Sequence, residues 1–133
     1  MRGLFFTGIS AGLLLLMAGS GCDKYDSSNS ITGIWRNREN YSNDQYRTYN
    51  ISVEQYDYID TSTYVIYNMY NLGMDFETLV QLKDSTFRIL GSSSAISISG
   101  KGTFHRSSFT IEWEYSISGD TYDPSVYAFS EKP

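Results

Sequence analysis

The chain has 133 residues, a net charge of −5, one cysteine and one histidine. A single cysteine excludes a disulfide framework, and the acidic balance excludes the basic patch that nucleic acid or an anionic lipid surface would need. Twelve tyrosines and two tryptophans are too many aromatic residues for a disordered segment and suit a β-rich domain.

The N-terminus reads MRGLFFTGISAGLLLLMAGSGCDKYD. Arg2 is a short positive region, Leu4 to Met17 an apolar run too short to span a bilayer comfortably, and Ala18 to Gly21 a small-residue stretch. Residues 1–21 therefore read as a secretory signal peptide, set aside from the fold. The lone Cys22, directly after Ser20 and Gly21, resembles the lipobox of bacterial lipoproteins. That resemblance implies cleavage before Cys22 and acylation, by palmitate-type chains, of its thiol and new amino group. Gly19 stands where that family usually has Leu, so cleavage after Gly21 by the ordinary signal peptidase, leaving a free thiol, stays open. Two or more acyl chains hold stably where one holds reversibly. The expected location is the cell envelope, at the outer membrane of a Gram-negative bacterium.

Residues 22–31 then comprise the lipidated cysteine and a polar, unpatterned tether, and residues 32–133 form a single domain. Strand signals recur with turn chemistry between them, at about 32–37, 46–55, 62–70, 75–83, 86–91, 94–104, 109–118 and 125–131. No helical period interrupts them. The fold class is all-β: an eight-stranded antiparallel meander, closed as a small barrel or open as a curled half-barrel. The TYVIYNMYNLG stretch is apolar on both faces, which predicts burial on both sides or a covered or adhesive outer face.

Three hairpins make register predictions. LKDST sets Leu82 against Phe87 and Val80 against Ile89. With HRSS as a turn, Phe104 faces Phe109, Gly102 faces Ile111, Gly100 faces Trp113 and Lys101 faces Glu112. A two-residue turn at Gly119-Asp120 puts Ile117 opposite Tyr122 and Trp113 opposite Val126.

Gly33-Ile34-Trp35, opening the first strand, is similar to the Gly-x-Trp motif that starts lipocalin barrels, and the plan resembles small lipocalin-like (calycin-type) bacterial lipoproteins. The resemblance implies a core tryptophan at one end of the barrel. No arginine follows Arg106, so the arginine that covers this tryptophan late in the lipocalin fold has no candidate here.

No constellation predicts catalysis. Glu112 and Glu114 share one face of a strand, alternate with Ile111, Trp113 and Tyr115, and so point to solvent. His105, in the HRSS turn beside Arg106, Ser107 and Ser108, lacks a positioned acid and an oxyanion site. One histidine and one lipidated cysteine cannot build a zinc site. The aspartates 57, 60, 120 and 123 lack calcium-loop spacing, and no phosphate-cradling glycine loop is present. The reading is a non-enzyme without cofactor or metal. Two functions remain. The first is a binding module for a small apolar ligand inside the barrel, near Trp35, Tyr49, Ile51, Trp113 and Tyr115. The second is a packed barrel that binds an envelope protein or glycan, inhibitor-type roles included. Its contact surface would come from the tyrosines at 41, 46, 56, 58, 64, 67 and 70 or from loops.

Overall fold

A computed structural model describes residues 30–57 and 59–133. Residues 1–29, which include the expected signal segment, Cys22 and most of the expected tether, and Tyr58 lie outside the described residues. Eight strands follow in chain order: β1 (Gly33–Tyr41), β2 (Gln45–Gln55), β3 (Thr63–Tyr67), β4 (Glu77–Lys83), β5 (Thr86–Ser92), β6 (Ser97–His105), β7 (Thr110–Ser118) and β8 (Asp123–Glu131). Each pairs antiparallel with the next, and β1 also pairs with β8, so the meander closes into a barrel. Closure pairs the edges that an open sheet would present to other chains. The alternation within β7 shows why this sequence makes a barrel wall. Ile111, Trp113, Tyr115 and Ile117 are buried, while Glu112 and Glu114 are exposed.

The β4–β5 register is as expected, with Leu82 opposite Phe87 and Val80 opposite Ile89. The β6–β7 register differs by two residues. Phe104 opposes Ile111, Gly102 opposes Trp113, Gly100 opposes Tyr115, and Lys101 faces Glu114. The cause lies in the turn. His105 stays in β6 opposite Thr110, while Phe109 leaves the strand with a left-handed φ of 55°. Its ring stacks on Trp35 at 5.5 Å and meets Phe104 edge-on at 5.1 Å, a packing gain that holds a bulky residue in a conformation it rarely adopts. A shift of two keeps every side chain on its face, so the inward set is unchanged. Between β7 and β8 an irregularity at Tyr115/Ile117 moves the pairing too: Ile117 faces Asp123, Tyr115 faces Val126 and Trp113 faces Ala128.

Strand ends differ from expectation too: β4 starts at Glu77 and β6 at Ser97, two and three residues late, and the ends of β3 and β1 matter most for the interior. β3 stops at Tyr67 because Asn68, Tyr70 and Asn71 take φ of 75°, 58° and 55°. They turn the chain through a short 3-10 segment, Met69–Asn71. Met69, Tyr70 and Phe76 are buried in the core, so the β3–β4 connection folds over one end of the barrel. This answers the two-faced stretch: Tyr64 and Ile66 pack inward, and Met69 and Tyr70 close the end. Val65 faces out beside Leu79, Leu90 and Tyr56. β1 runs on to Tyr41, four residues past its expected end, and a turn of left-handed Ser42, Asn43 and Asp44 leads into β2. This extension sets Glu39 directly opposite Arg47.

At the other end, Lys132 places its Nζ 5.1 Å over the Trp35 ring and donates to the Thr32 carbonyl at 2.8 Å. The tryptophan Nε1 donates to the Ile31 carbonyl at 2.8 Å. The covering cation is thus a lysine just beyond the last strand, rather than an arginine within it.

Candidate functional site

The five residues expected to line a ligand site all face the interior. Trp35, Ile51, Trp113 and Tyr115 are buried and Tyr49 is half-buried. Their rings pack on others: Phe87 lies 5.6 Å from Trp113 and 6.0 Å from Phe104, and Tyr70 6.5 Å from Tyr115. Trp35 belongs to the end with Phe109 and Lys132, Trp113 to the middle, and Tyr49 and Tyr115 to the end covered by Tyr70.

A polar relay links these levels. Trp113 Nε1 donates to Ser130 Oγ (3.0 Å), Ser130 to Asn37 Oδ1 (2.7 Å), Asn37 Nδ2 to Tyr49 OH (2.9 Å), and Tyr49 to Glu39 Oε1 (2.5 Å). The Tyr115 hydroxyl also donates to Glu39 Oε1. Arg47 Nε donates to Glu39 Oε2 at 2.7 Å. The guanidinium lies 3.8 Å from the Tyr41 ring centre and 4.5 Å from that of Tyr70, and it also donates to the Tyr70 carbonyl at 2.8 Å. Tyr70 OH in turn donates to Asp123 at 2.8 Å, and Asp123 also accepts from the Ser42 N–H. Donors run in one sense toward Glu39, so each bond polarises the next. Both Glu39 oxygens are taken and the side chain is fully buried, which leaves a reacting group no approach. Its role is to organise the barrel interior.

The surroundings of these tyrosines set an alkaline limit on stability. Burial, and then the Glu39 carboxylate, push the Tyr49 hydroxyl well up. Burial, followed by Tyr49 and Glu39, does the same to Tyr115. Burial, followed by the bond to Asp123, raises Tyr70 to about 12. An unfolded tyrosine ionises near pH 10. Below that pH both states hold their protons and the contribution is fully present. Above it the unfolded chain loses protons that the native state keeps, so stability falls as pH rises toward the folded values. Denaturant midpoints should be flat in this respect below about pH 10 and fall between about pH 10 and 12. Tyrosinate absorbance from the buried set should rise together with unfolding rather than ahead of it.

The outer wall offers a different kind of site. Across β2, β1, β8 and β7 the register aligns Tyr46, Asn40, Tyr127 and Glu114 in one outward row. Thr48, Arg38, Phe129 and Glu112 make the next row. Tyr46 is 75% and Tyr127 55% exposed, and with Asn40 and Phe129 they line a groove of about 580 Å³. Arg38 sits 5.2 Å over the Phe129 ring and 3.6 Å from Glu131. Past Tyr127 a second depression of about 340 Å³ continues, lined by Asn40, Asn43, Asp44, Ser125 and the 75% exposed Tyr122. A roomier depression of about 740 Å³ near Ser62, Gln81 and Arg88 has no aromatic ring to hold an occupant, so the Tyr46–Tyr127 groove is the better candidate.

Of the seven tyrosines singled out in the sequence, this groove uses only Tyr46. Tyr41 and Tyr70 stack on Arg47, Tyr64 meets Phe87 edge-on at 6.1 Å, and Tyr56 is exposed on another face. Tyr127 and Phe129 were not among them. Their signal was present in the alternation of β8, where Val126, Ala128 and Ser130 are the buried positions. His105 lies in β6 rather than in the turn, its Nε2 3.7 Å from Glu112. Among the described residues, no three His, Cys, Asp or Glu side chains gather as a metal site. Comparison of the sequence with protein-family models and with curated proteins found no match.

Proposed function

We propose that this chain is a non-catalytic binding module, held at an envelope membrane through acylated Cys22, that engages its partner on the outer face of β2, β1, β8 and β7. One contrast carries the reading. The interior is occupied by the chain's own aromatic side chains, while two exposed tyrosines flank Asn40 over an apolar groove on the outside. Large exposed aromatics lying together over apolar surface mark contact sites more often than solvation. The closed meander, the Gly33-Ile34-Trp35 opening and the cation over Trp35 support a lipocalin-like kinship of the plan, with a filled cup.

The anchor and the face are tested separately. Cys22→Ala should abolish incorporation of labelled palmitate and move the chain from the membrane to the soluble fraction. Incorporation that survives the substitution would remove the anchor. Tyr46→Ala combined with Tyr127→Ala should leave the melting temperature within a few degrees, since both rings are exposed. The same pair should abolish retention of the binding partner. A partner held equally well by the double variant would remove the face.

A further inference from the structure

We propose that the occupant of the Tyr46–Tyr127 groove is a neutral glycan chain, an inference that rests on this face being the binding surface. The geometry comes from the register. Tyr46 and Tyr127 stand two strands apart on either side of Asn40, which sets their Cα atoms about 9.5 Å apart, twice the strand spacing. All three point to the same side of the wall. Two phenol rings at that separation, with an amide between them, offer stacking faces to the C–H surfaces of successive sugar rings and hydrogen-bond partners to the hydroxyls between. Tyrosine suits this, having an apolar body and a polar tip.

The composition of the face separates a sugar from a protein. A protein interface wants a contiguous, desolvated apolar centre. Here every ring in the two rows has hydrogen-bonding neighbours: Asn40, Thr48, Arg38, Glu112 and Glu114. The exposed aliphatic side chains among the described residues, Ile34, Ile59, Met74 and Leu90, lie outside these rows.

Charge then selects among glycans. Each charge here has a partner: Arg38 is covered by Phe129 and paired with Glu131, Arg47, which also lines the groove, is bonded to Glu39, Glu112 lies 3.7 Å from His105 and Glu114 stands opposite Lys101. On a chain of net charge −5 this face offers no unpaired cation to a uronic-acid or sulfated polymer. The neighbouring depression, which shares Asn40 and Tyr127 and adds Tyr122, Asn43 and Ser125, extends the track. That favours an oligosaccharide over a monosaccharide.

The test titrates the full chain, held in a zwitterionic detergent without a sugar headgroup, with cellohexaose, maltohexaose, mannohexaose and chitohexaose, and with hexagalacturonate as the anionic comparison. The expected result is saturable binding of at least one neutral probe, stronger for six sugars than for two. Tyr46→Ala and Tyr127→Ala should each weaken it about three- to tenfold, the loss of one stacked ring, while Tyr56→Ala on the opposite wall should not change it. No saturable binding of any neutral probe overturns the inference. So does binding indifferent to both tyrosines, or a preference for hexagalacturonate. A photo-crosslinker placed at Thr48 in living cells separates the two levels of the argument. If it captures a discrete protein and no sugar binds, the glycan falls and the face stands. If it captures nothing and no sugar binds, both fall.

Discussion

Arg47→Met should destabilise the barrel by about 3–5 kcal/mol, because it leaves the Glu39 carboxylate buried without its cation. Met replaces the aliphatic stem alone, so the guanidinium's stacking on Tyr41 and Tyr70 and its bond to the Tyr70 carbonyl are lost together with the charge. Glu39 is fully buried and bonded to Arg47 at 2.7 Å, which distinguishes this pair from the surface ion pairs worth under about 1 kcal/mol. For a domain of this size that loss is a fall in melting temperature on the order of 15 °C. Adding Glu39→Gln should recover part of it, since an amide can still accept from Tyr49 and Tyr115 without carrying a buried charge. Thermal melts of the two single variants and the double variant form the cycle. A loss below about 1 kcal/mol for Arg47→Met would mean that water reaches Glu39 and that the relay is not closed.

The second large effect comes from two glycines of β6. Gly102 lies between Phe87 and Trp113 in the register, and a Cβ there would come within 2.6 Å of the fully buried Trp113 ring. Gly100 has φ of +144°, and its Cβ would strike the Glu114 carbonyl and lie 2.6 Å from the Tyr115 Cα. Gly102→Ala should cost about 1–3 kcal/mol through overpacking. Gly100→Ala should cost about 3 kcal/mol or more, since strain adds to a collision with backbone that cannot rotate away. Gly91→Ala is the internal control. Nothing lies within 4 Å of its added Cβ, so the change should stay within about 0.5 kcal/mol. Denaturant midpoints rank the three, and equal losses at Gly91 and Gly102 would remove the packing argument.

These sites show what the sequence made legible. The glycines opposite large residues were readable as a device for packing inside a curved wall, and the pairing of small against large survives although the partners move by two. What could not be read was the length of the turn after His105, because its register depends on Phe109 reaching Trp35, a contact across the barrel rather than along the chain. Glu39 was hidden for a local reason. RNRENY lacks the alternating apolar residues that announce a strand, so its pattern gives no sign that β1 continues past residue 37. The clue was the hairpin itself. Folding at Ser42-Asn43-Asp44 pairs Glu39 with Arg47, Asn37 with Tyr49 and Trp35 with Ile51, each a sensible cross-strand match. The cation over Trp35 is a lysine where the resemblance implies an arginine, and its stem spans the same distance. The outer groove was partly visible in the tyrosine excess. Which tyrosines it used depended on closure, which alone brings Tyr127 of the last strand beside Asn40 of the first.

A barrel filled by its own side chains, as proposed, holds no apolar guest and binds from outside. Native mass spectrometry of the Cys22→Ala chain, purified from cells without detergent and then incubated with fatty acids and sterols, tests this most directly. The expected result is the mass of the polypeptide alone. A one-to-one apolar adduct that survives desolvation and is released only on unfolding would contradict it. It would return the site to Trp35, Tyr49, Ile51, Trp113 and Tyr115 inside the barrel.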